Sequence, residues 1–269
     1  MSDGNMEQQT SAERASVRAR QLAILERLSR EGKVTVIELA DWLGTSRETV
    51  RRDLTTLAEH GLLRKVHGGA VPLQSAQEDP FHSRLELNRD AKRRIGERAA
   101  ELFSSGDSLL VDSGSTTILF AEALSRKSGL TIITNSQHVA HAASKGPGEN
   151  NVFLLGGHYY PEGAETLGPI TNDQIQALSA DHAVLTVGAV DNLGRFMDFM
   201  AEAAYTARAM IARARQVTVL IDSSKIEKAA LFQVCAADQV SRVVTDAPLP
   251  AAVMTSFASA GVEVIVAQK

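Results

Sequence analysis

Two closely spaced helix starts followed by a basic hairpin, and then a long alternation of strand and helix patterns, predict a two-domain α/β chain. The first domain reads as an N-terminal winged helix-turn-helix, the second as a mostly parallel α/β domain. A length of 269 residues suits two domains better than one. The expected boundaries are 15–72 for the winged helix-turn-helix, 73–90 for a linker running into a helix, and 91–269 for the α/β domain.

The first dozen residues lack apolar periodicity and read as a flexible tail. A first helix is then expected from Ala15 to Arg30, with Leu22, Leu25 and Leu28 at helical spacing and Gly32 just past its end. Thr35-Val36-Ile37-Glu38 has the capping-box pattern, a hydroxyl at the cap and a glutamate three residues on. Ile37, Leu39, Ala40 and Leu43 give this short helix its apolar side, and Gly44 ends it. Thr45-Ser46-Arg47-Glu48 repeats the capping pattern and opens a third helix.

That third helix sorts its residues by face. Val50, Leu54, Leu57 and Ala58 fall on one side, which is the core side. Glu48, Arg52, Thr55 and Thr56 point the opposite way, Thr49 and Arg51 flank them, and Ser46 and Arg47 stand at the N-terminal end. A helix N-terminus flanked by arginines and hydroxyls suits a DNA major groove: backbone N–H groups and Arg neutralise phosphates, while Arg, Ser and Thr read base edges. Beyond Gly61, two short runs around Gly68-Gly69 read as a β-hairpin wing carrying Arg64 and Lys65 in its first strand. The expected DNA-facing set is Ser46, Arg47, Thr49, Arg51, Arg52, Arg64, Lys65 and His67.

Charge limits where such a surface can lie. The net charge of −4 argues against a chain that coats nucleic acid over its whole length. Residues 1–72 hold 11 Lys/Arg against 10 Asp/Glu, and the remainder 17 against 22, so the N-terminal part is the DNA-facing candidate. No run approaches the roughly 18 apolar residues of a membrane span, and no charged start precedes an apolar stretch, so neither membrane insertion nor a secretory signal is expected. The single cysteine, Cys235, has no internal disulfide partner, and no Cys/His cluster has zinc-ligand spacing. The expected address is a reducing cytoplasm, with no metal and no cofactor.

From Ala91 the expected strands are Leu109–Asp112, Leu130–Thr134, Val152–Leu155, Ala183–Val187, Val217–Asp222, Arg242–Thr245 and Val262–Val266. Helical stretches between them include Lys92–Phe103, Thr117–Ser125, Ile170–Leu178 and Ala201–Ala214. In sheets of this kind ligands bind outside the carboxyl ends of the strands, so the residues after each strand are the candidates. After the first strand, Asp112-Ser113-Gly114-Ser115-Thr116-Thr117 leads directly into a helix: a tight turn, several hydroxyls and free helix N–H groups suit a phosphate or carboxylate. Thr134-Asn135-Ser136 follows the second strand, Gly156-Gly157 the third, and Asp222-Ser223-Ser224-Lys225 the fifth. Lys225 places an ammonium at the same edge and is expected to hold a ligand. Tyr159, Tyr160, Phe196 and Met197 are open between pocket, core and surface.

The run Ser46-Arg47-Glu48-Thr49-Val50-Arg51-Arg52-Asp53-Leu54, with Arg64-Lys65-Val66-His67-Gly68-Gly69-Ala70, resembles the DNA-binding signature of the DeoR family of bacterial regulators. The polar loops after the strands, with Gly188-Ala189-Val190-Asp191, Asp198, Glu202 and Val244-Thr245-Asp246, resemble the sensor domain of the same family, so that the resemblance covers about residues 18–266. That sensor is similar in turn to ribose-5-phosphate isomerase. The resemblance implies a phosphorylated sugar as effector, with Ser113, Gly114, Ser115, Thr116, Thr117 and Lys225 on its phosphate side. It makes Asn135, Gly157, Asp198 and Glu202 the sugar-side candidates; Asp112 is also expected among the ligand-binding residues.

The likeness to an isomerase raises an enzyme as a competing reading, and a protein-docking adaptor is a third. An isomerase needs a carboxylate base and a cation to stabilise the enediolate oxygen. The family of enzymes carries an Asp-Gly-Ala-Asp turn and a later Lys-Gly-Gly segment; here the turn reads Val187-Gly188-Ala189-Val190, Asp191 is displaced by one, and Arg195 to Ala207 contains no lysine. Asp198 and Glu202 are four apart, the spacing of one helical face. An adaptor does not need four polar loops at one sheet edge. The expected function is a DNA-binding repressor of a carbohydrate or polyol operon that binds double-stranded operator DNA as a homodimer or homotetramer.

Overall fold

The computed structural model describes residues 17, 19–28, 31–59, 62–71, 78 and 80–268. The expected tail and the first residues of the first helix lie outside the described residues. The chain divides into two compact units between Gln77 and Glu78.

In the first unit, helix α1 covers 19–28, followed by β1 (Val34–Thr35), α2 (Val36–Leu43), α3 (Arg47–Glu59) and the strands β2 (Arg64–Val66) and β3 (Gly69–Val71). The core uses Ile24, Leu25 and Leu28 of α1 with Leu39, Val50, Leu54, Leu57 and Leu63. Leu22, expected inside, is 47% exposed, and the fully buried Ile24 takes its place. The Thr35 capping box forms as its residues predict: Glu38 N–H donates to Thr35 Oγ1 at 3.2 Å, and Thr35 N–H to Glu38 Oε2 at 3.1 Å. The second box does not form on Thr45. Its N–H is still held by Ala40 O of the preceding helix at 3.1 Å, so the cap moves on to Ser46, whose Oγ accepts Thr49 N–H at 3.0 Å.

One core contact of α3 is ionic. Asp53 is buried and accepts from Arg20 Nε at 2.6 Å and Arg20 Nη2 at 3.2 Å, fixing α1 against α3. The wing is a three-stranded antiparallel sheet, in the order β1-β3-β2. Its turn sits at His67-Gly68, where Gly68 has φ 77°. Gly69 is already in β3, and a Cβ there would meet Val34 O at 2.0 Å, so only glycine lets β1 pair beside it.

The second unit opens with α4 (Phe81–Glu86), inside the stretch expected as linker, and α5 (Arg89–Ala100), which begins there and covers most of the expected helix Lys92–Phe103. Strand and helix then alternate: β4 (Ser108–Val111), α6 (Ser115–Leu124), β5 (Thr131–Thr134), α7 (Gln137–Ser144) and β6 (Asn151–Leu154). A small hairpin, β7 (His158–Tyr160) and β8 (Glu165–Leu167), leads to α8 (Pro169–Gln176) and β9 (Ala180–Leu185). After β10 (Ala189–Val190), β11 (Phe196–Asp198) and α9 (Ala201–Ala212) come β12 (Ala214–Leu220), β13 (Phe232–Cys235), β14 (Arg242–Thr245), α10 (Ala251–Ala260) and β15 (Glu263–Val266).

All seven expected strands form one sheet, ordered β15-β14-β12-β9-β4-β5-β6 and parallel throughout. β9 and β12 begin at Ala180 and Ala214, earlier than their apolar runs, because their first residues (Asp181, His182, Arg215, Gln216) lie at the polar amino edge. β5 and β6 run outward on one side of β4 and β9, β12, β14 and β15 on the other, so the order reverses between β4 and β9. In such sheets the crevice for a ligand opens at that reversal.

Alternate side chains of each strand feed two apolar layers. Leu109, Val111, Ile132, Val184 and Leu220 pack under α5, α6 and α7 with Ile95, Phe103, Phe120 and Val139. Leu110, Ile133, Leu185, Val219 and Val243 pack with Ile175, Met210, Val253 and Phe257 of α8, α9 and α10. Full burial of each large apolar side chain contributes about 2 kcal/mol, against about 0.5 kcal/mol for an exposed ion pair such as Arg89–Glu86. The two layers therefore fix where the strand ends lie. Phe196 and Met197 are core: Phe196 stacks on Phe257 with ring centroids 5.4 Å apart. Tyr159 is 49% exposed and bonds Gln137, and Tyr160 stands edge-on to His158, so neither pair shapes a pocket.

Asp53→Ala leaves the Arg20 guanidinium against the core with its fork unpaired. It is expected to destabilise the first unit by about 2 kcal/mol, measured as a lowered midpoint in urea denaturation followed by Trp42 fluorescence. The double substitution Arg20→Met, Asp53→Leu is expected to recover most of that loss.

Candidate functional site

The residues expected to face DNA are placed in the first unit as follows. Ser46, Arg47, Arg51 and Arg52 are exposed at the start and on the outer side of α3, and Arg64, Lys65 and His67 are exposed on the wing. Thr49 is half-buried because its hydroxyl bonds Ser46 Oγ at 2.9 Å, so both hydroxyls are engaged in the cap. The side chains of Arg51 and Arg52 are 61% and 81% exposed. Their ion pairs with Glu48, at 3.5 and 3.8 Å, are long, solvent-exposed contacts that hold the guanidinium groups weakly. Lys65 Nζ donates to Thr55 Oγ1 at 2.8 Å, linking the wing to α3.

In the second unit, polar groups gather at the carboxyl ends of β4, β9 and β12, on both sides of the reversal. The turn after β4 is pinned by Asp112 N–H to Val184 O at 3.0 Å, and Asp112 Oδ1 accepts Ser113 N–H at 2.8 Å. Gly114 is required by close approach: a Cβ would meet Thr186 Cγ2 at 2.2 Å. Ser115, Thr116 and Thr117 are buried in the first turn of α6, and Thr117 Oγ1 donates to Gly114 O at 3.0 Å. The first turn of α6 has no side-chain cap and carries the partial positive charge of a helix start.

Across β9, the turn after β12 is held by Asp222, which accepts Ser224 N–H at 3.2 Å and Asn88 Nδ2 at 3.0 Å. This turn delivers Lys225, whose Nζ donates to Val187 O at 2.7 Å and to Glu78 Oε1 at 3.0 Å. Arg84 Nη1 reaches the same Glu78 oxygen at 2.9 Å, and its guanidinium lies 5.2 Å from the Phe81 ring centre. Arg84 Nε is buried with no hydrogen-bond partner among the described residues.

Three buried carboxyls lie near Glu78. Burial pushes the Asp112 carboxyl well above the ordinary carboxylate range, and the neighbouring Glu165, Asp198 and Glu78 charges add to the push. Burial likewise raises Glu165, opposed by the hydrogen bond it accepts from Ser113 Oγ. Asp198 is raised to about 6 by burial and by Glu78, against the Met200 N–H and Lys225 that favour its charge. Asn135 is fully buried; its Nδ2 donates to Thr166 O at 3.1 Å, while its Oδ1 has no partner among the described residues. Among the described residues no group of three His, Cys, Asp or Glu is arranged to hold a metal ion, and no helix is long and apolar enough to cross a membrane. The chemistry on offer is therefore cations and helix N–H groups for an anionic end, with protonatable carboxyls and an amide oxygen for hydroxyls.

Of the predicted ligand residues, Asp112, Ser113, Gly114, Ser115, Thr116, Thr117, Asn135, Asp198 and Lys225 all belong to this edge. Asp198 and Glu202 do not share a helical face: Asp198 ends β11, paired with Phe232, and α9 begins only at Ala201, leaving Glu202 exposed on its first turn. Gly157 is packed against α8, where a Cβ would meet Thr171 Oγ1 at 2.0 Å. Glu78, Arg84 and Glu165 are additions that the sequence reading does not contain. The displaced Asp191 is consumed in its own turn, accepting Leu193 N–H at 3.0 Å and Arg195 Nε at 2.6 Å.

Comparison with known proteins agrees with this division. The family described as "DeoR C terminal sensor domain" matches residues 87–247, and that described as "DeoR-like helix-turn-helix domain" matches 20–76. The glycerol-3-phosphate regulon repressor of Escherichia coli (strain K12) is 32% identical, over 86% of this chain and 91% of its own. Transcriptional repressor AccR of Agrobacterium fabrum is 32% identical, over 86% and 90%. The L-fucose operon activator of Haemophilus influenzae is 32% identical, over 84% and 91%. Among solved structures, ribose 5-phosphate isomerase A of Methanocaldococcus jannaschii matches 52% of this chain and 56% of its own, with a TM-score of 0.39 and 16% identity.

The raised Asp198 carboxyl gives a stability signature. Between its ordinary value of 3.8 and its folded value of about 6, the folded chain holds a proton that the unfolded chain has lost. This contribution is complete below 3.8 and disappears as pH rises through 6. Asp198→Asn keeps the bond to Met200 N–H without the buried charge. It is expected to melt above the wild type at about pH 7.5, with the gap closing toward about pH 4 in thermal scans without ligand.

Proposed function

The chain belongs to the DeoR family of transcriptional regulators, and from that premise we propose that it is a repressor of a carbohydrate or polyol catabolic operon, controlled by a phosphorylated sugar bound at the carboxyl edge of the parallel sheet. The observation that carries the ligand reading is the meeting of Lys225, Arg84 and the α6 N-terminus beside buried carboxyls at the reversal of strand order. A phosphate needs the first set, and hydroxyls bridging between acceptors and protonated carboxyls use the second. Two of the relatives are named as repressors, one of them for a phosphorylated polyol regulon.

The pocket binds rather than turns over its ligand. Isomerisation calls for a free carboxylate base with a paired cation, and Asp191, the residue nearest the isomerase pattern, is tied to Arg195. The expected isomerisation rate of ribose 5-phosphate with the full chain is the uncatalysed one. Turnover abolished by Asp198→Asn would make the chain an enzyme with a DNA-binding unit.

Operator binding falls to the first unit. A single helix-turn-helix reads a half-site, so the reading includes an even-numbered homo-oligomer on a palindromic operator. Arg52→Ala is expected to weaken operator binding by about 1–3 kcal/mol if Arg52 makes a bidentate base contact, with relaxed specificity. Lys65→Ala is expected to weaken all sequences alike and to flatten the salt dependence. Both are measured by fluorescence anisotropy across salt concentrations.

For the effector, calorimetry of the full chain against a panel of phosphorylated sugars and polyols identifies the ligand. Lys225→Ala is expected to lower its affinity about ten- to hundredfold, the loss of one charge-assisted bond. The variant still binds operator, and added effector no longer changes that binding. Undiminished effector affinity in Lys225→Ala places the pocket elsewhere.

A further inference from the structure

The two cations of the pocket are already occupied. A single oxygen, Glu78 Oε1, accepts Arg84 Nη1 at 2.9 Å and Lys225 Nζ at 3.0 Å, and the three side chains are only 13–21% exposed. Glu78 is the first residue of the second unit, and residues up to Gln77 belong to the first. Resting on the phosphosugar reading above, we infer that Glu78 is an internal stand-in for the effector's phosphate: the two compete for Lys225 and Arg84, and displacement of Glu78 is how ligand binding is passed to the DNA-binding unit.

The geometry around Glu78 favours exchange over permanence. Its carboxylate stands among like charges, close enough to Asp112, Glu165 and Asp198 to raise all three. Lys225 and Arg84, with Lys92 nearby, offset that repulsion. Its hold on Arg84 is also incomplete, because Arg84 Nε remains buried without a partner among the described residues. A carboxylate oxygen shared between two cations leaves that donor unused, whereas a phosphate has three terminal oxygens and a larger charge to distribute over the same groups. Arg84 itself is preset for an anion: its guanidinium lies by the Phe81 ring, and its carbonyl is fixed by Lys92 Nζ at 2.6 Å.

Competition of this kind lowers the apparent affinity for phosphate by the fraction of time the seat is free. Because the competing residue is the first of the second unit, next in sequence to the DNA-binding unit, its displacement gives the ligand different affinities for two states of the chain, which is what control of DNA binding requires. No contact between the pocket and the DNA-binding unit is needed for this.

The test uses the full chain, with inorganic phosphate as the probe, calorimetry for affinity and anisotropy for operator binding. Glu78→Gln keeps size and hydrogen bonding without the charge, and is expected to bind phosphate about tenfold more tightly than the wild type. Its operator affinity without phosphate is expected to match that of the wild type saturated with phosphate. Glu78→Asp, which keeps the charge on a shorter arm, is expected to fall between the two, and Arg84→Met to bind phosphate about tenfold more weakly. Wild-type phosphate affinity in Glu78→Gln overturns the stand-in, and the pocket reading survives that result if Lys225→Ala still loses phosphate. Tighter phosphate binding with unchanged operator affinity overturns the coupling to DNA. Unchanged phosphate affinity in both Arg84→Met and Lys225→Ala overturns the pocket and the stand-in together.

Discussion

Buried charge at the carboxyl ends of β4, β9 and β12 is the constraint on which the second unit depends. Asp112 and Asp222 are nearly inaccessible to water, Glu165 is buried, and Lys225, Glu78 and Arg84 are largely so. Removing such groups from water costs several kcal/mol each unless partners of opposite charge or hydrogen bonds stand in for the lost solvent. The chain meets that cost in two ways. It pairs Glu78 with two cations and ties Asp222 to Asn88 and Ser224, and it allows Asp112, Glu165 and Asp198 to remain protonated at pH values where exposed carboxyls are charged. The apolar layers above and below the sheet hold the strand ends rigidly enough for these distances to persist.

The first unit solves a smaller version of the same problem. Asp53 lies in the core of a helix that must show arginines to solvent, and Arg20 neutralises it from α1. The side of α3 that carries Arg51 and Arg52 is thereby set by both the apolar row of Val50, Leu54 and Leu57 and an ionic clamp beside it. Of the Arg-Arg-Asp run, the arginines face outward and the aspartate inward, so three adjacent charged residues serve two different purposes.

Much of this is legible in the sequence because buried parallel strands read as short continuous apolar runs, and all seven appear in the expected order. Helix starts were legible where a local pattern settles them, as at Thr35, and misplaced by one residue at Ser46, where a bond from the preceding helix outweighs the local pattern. The polar loops after β4 and β12 are legible because they follow directly on buried apolar strands. The acids and the second cation were not. Glu165 meets Ser113 across 52 positions, and Glu78 meets Lys225 across 147, and no spacing rule connects residues so far apart. Asp198 and Glu202 mislead for the opposite reason: a spacing of four suggests one helix face, but pairing of Asp198 with Phe232 keeps it in a strand.

We place the effector's action at the carboxyl edge between β4, β9 and β12. Amide hydrogen exchange of the full chain, with and without a saturating phosphosugar, tests it most directly, because exchange reports where bound ligand slows local opening. Slowed exchange is expected at residues 113–117 and 223–225, with altered exchange at residue 78. Protection confined to another surface, such as the open groove that Gln137, His141, Val152 and Leu154 line between α7 and β6, would contradict it.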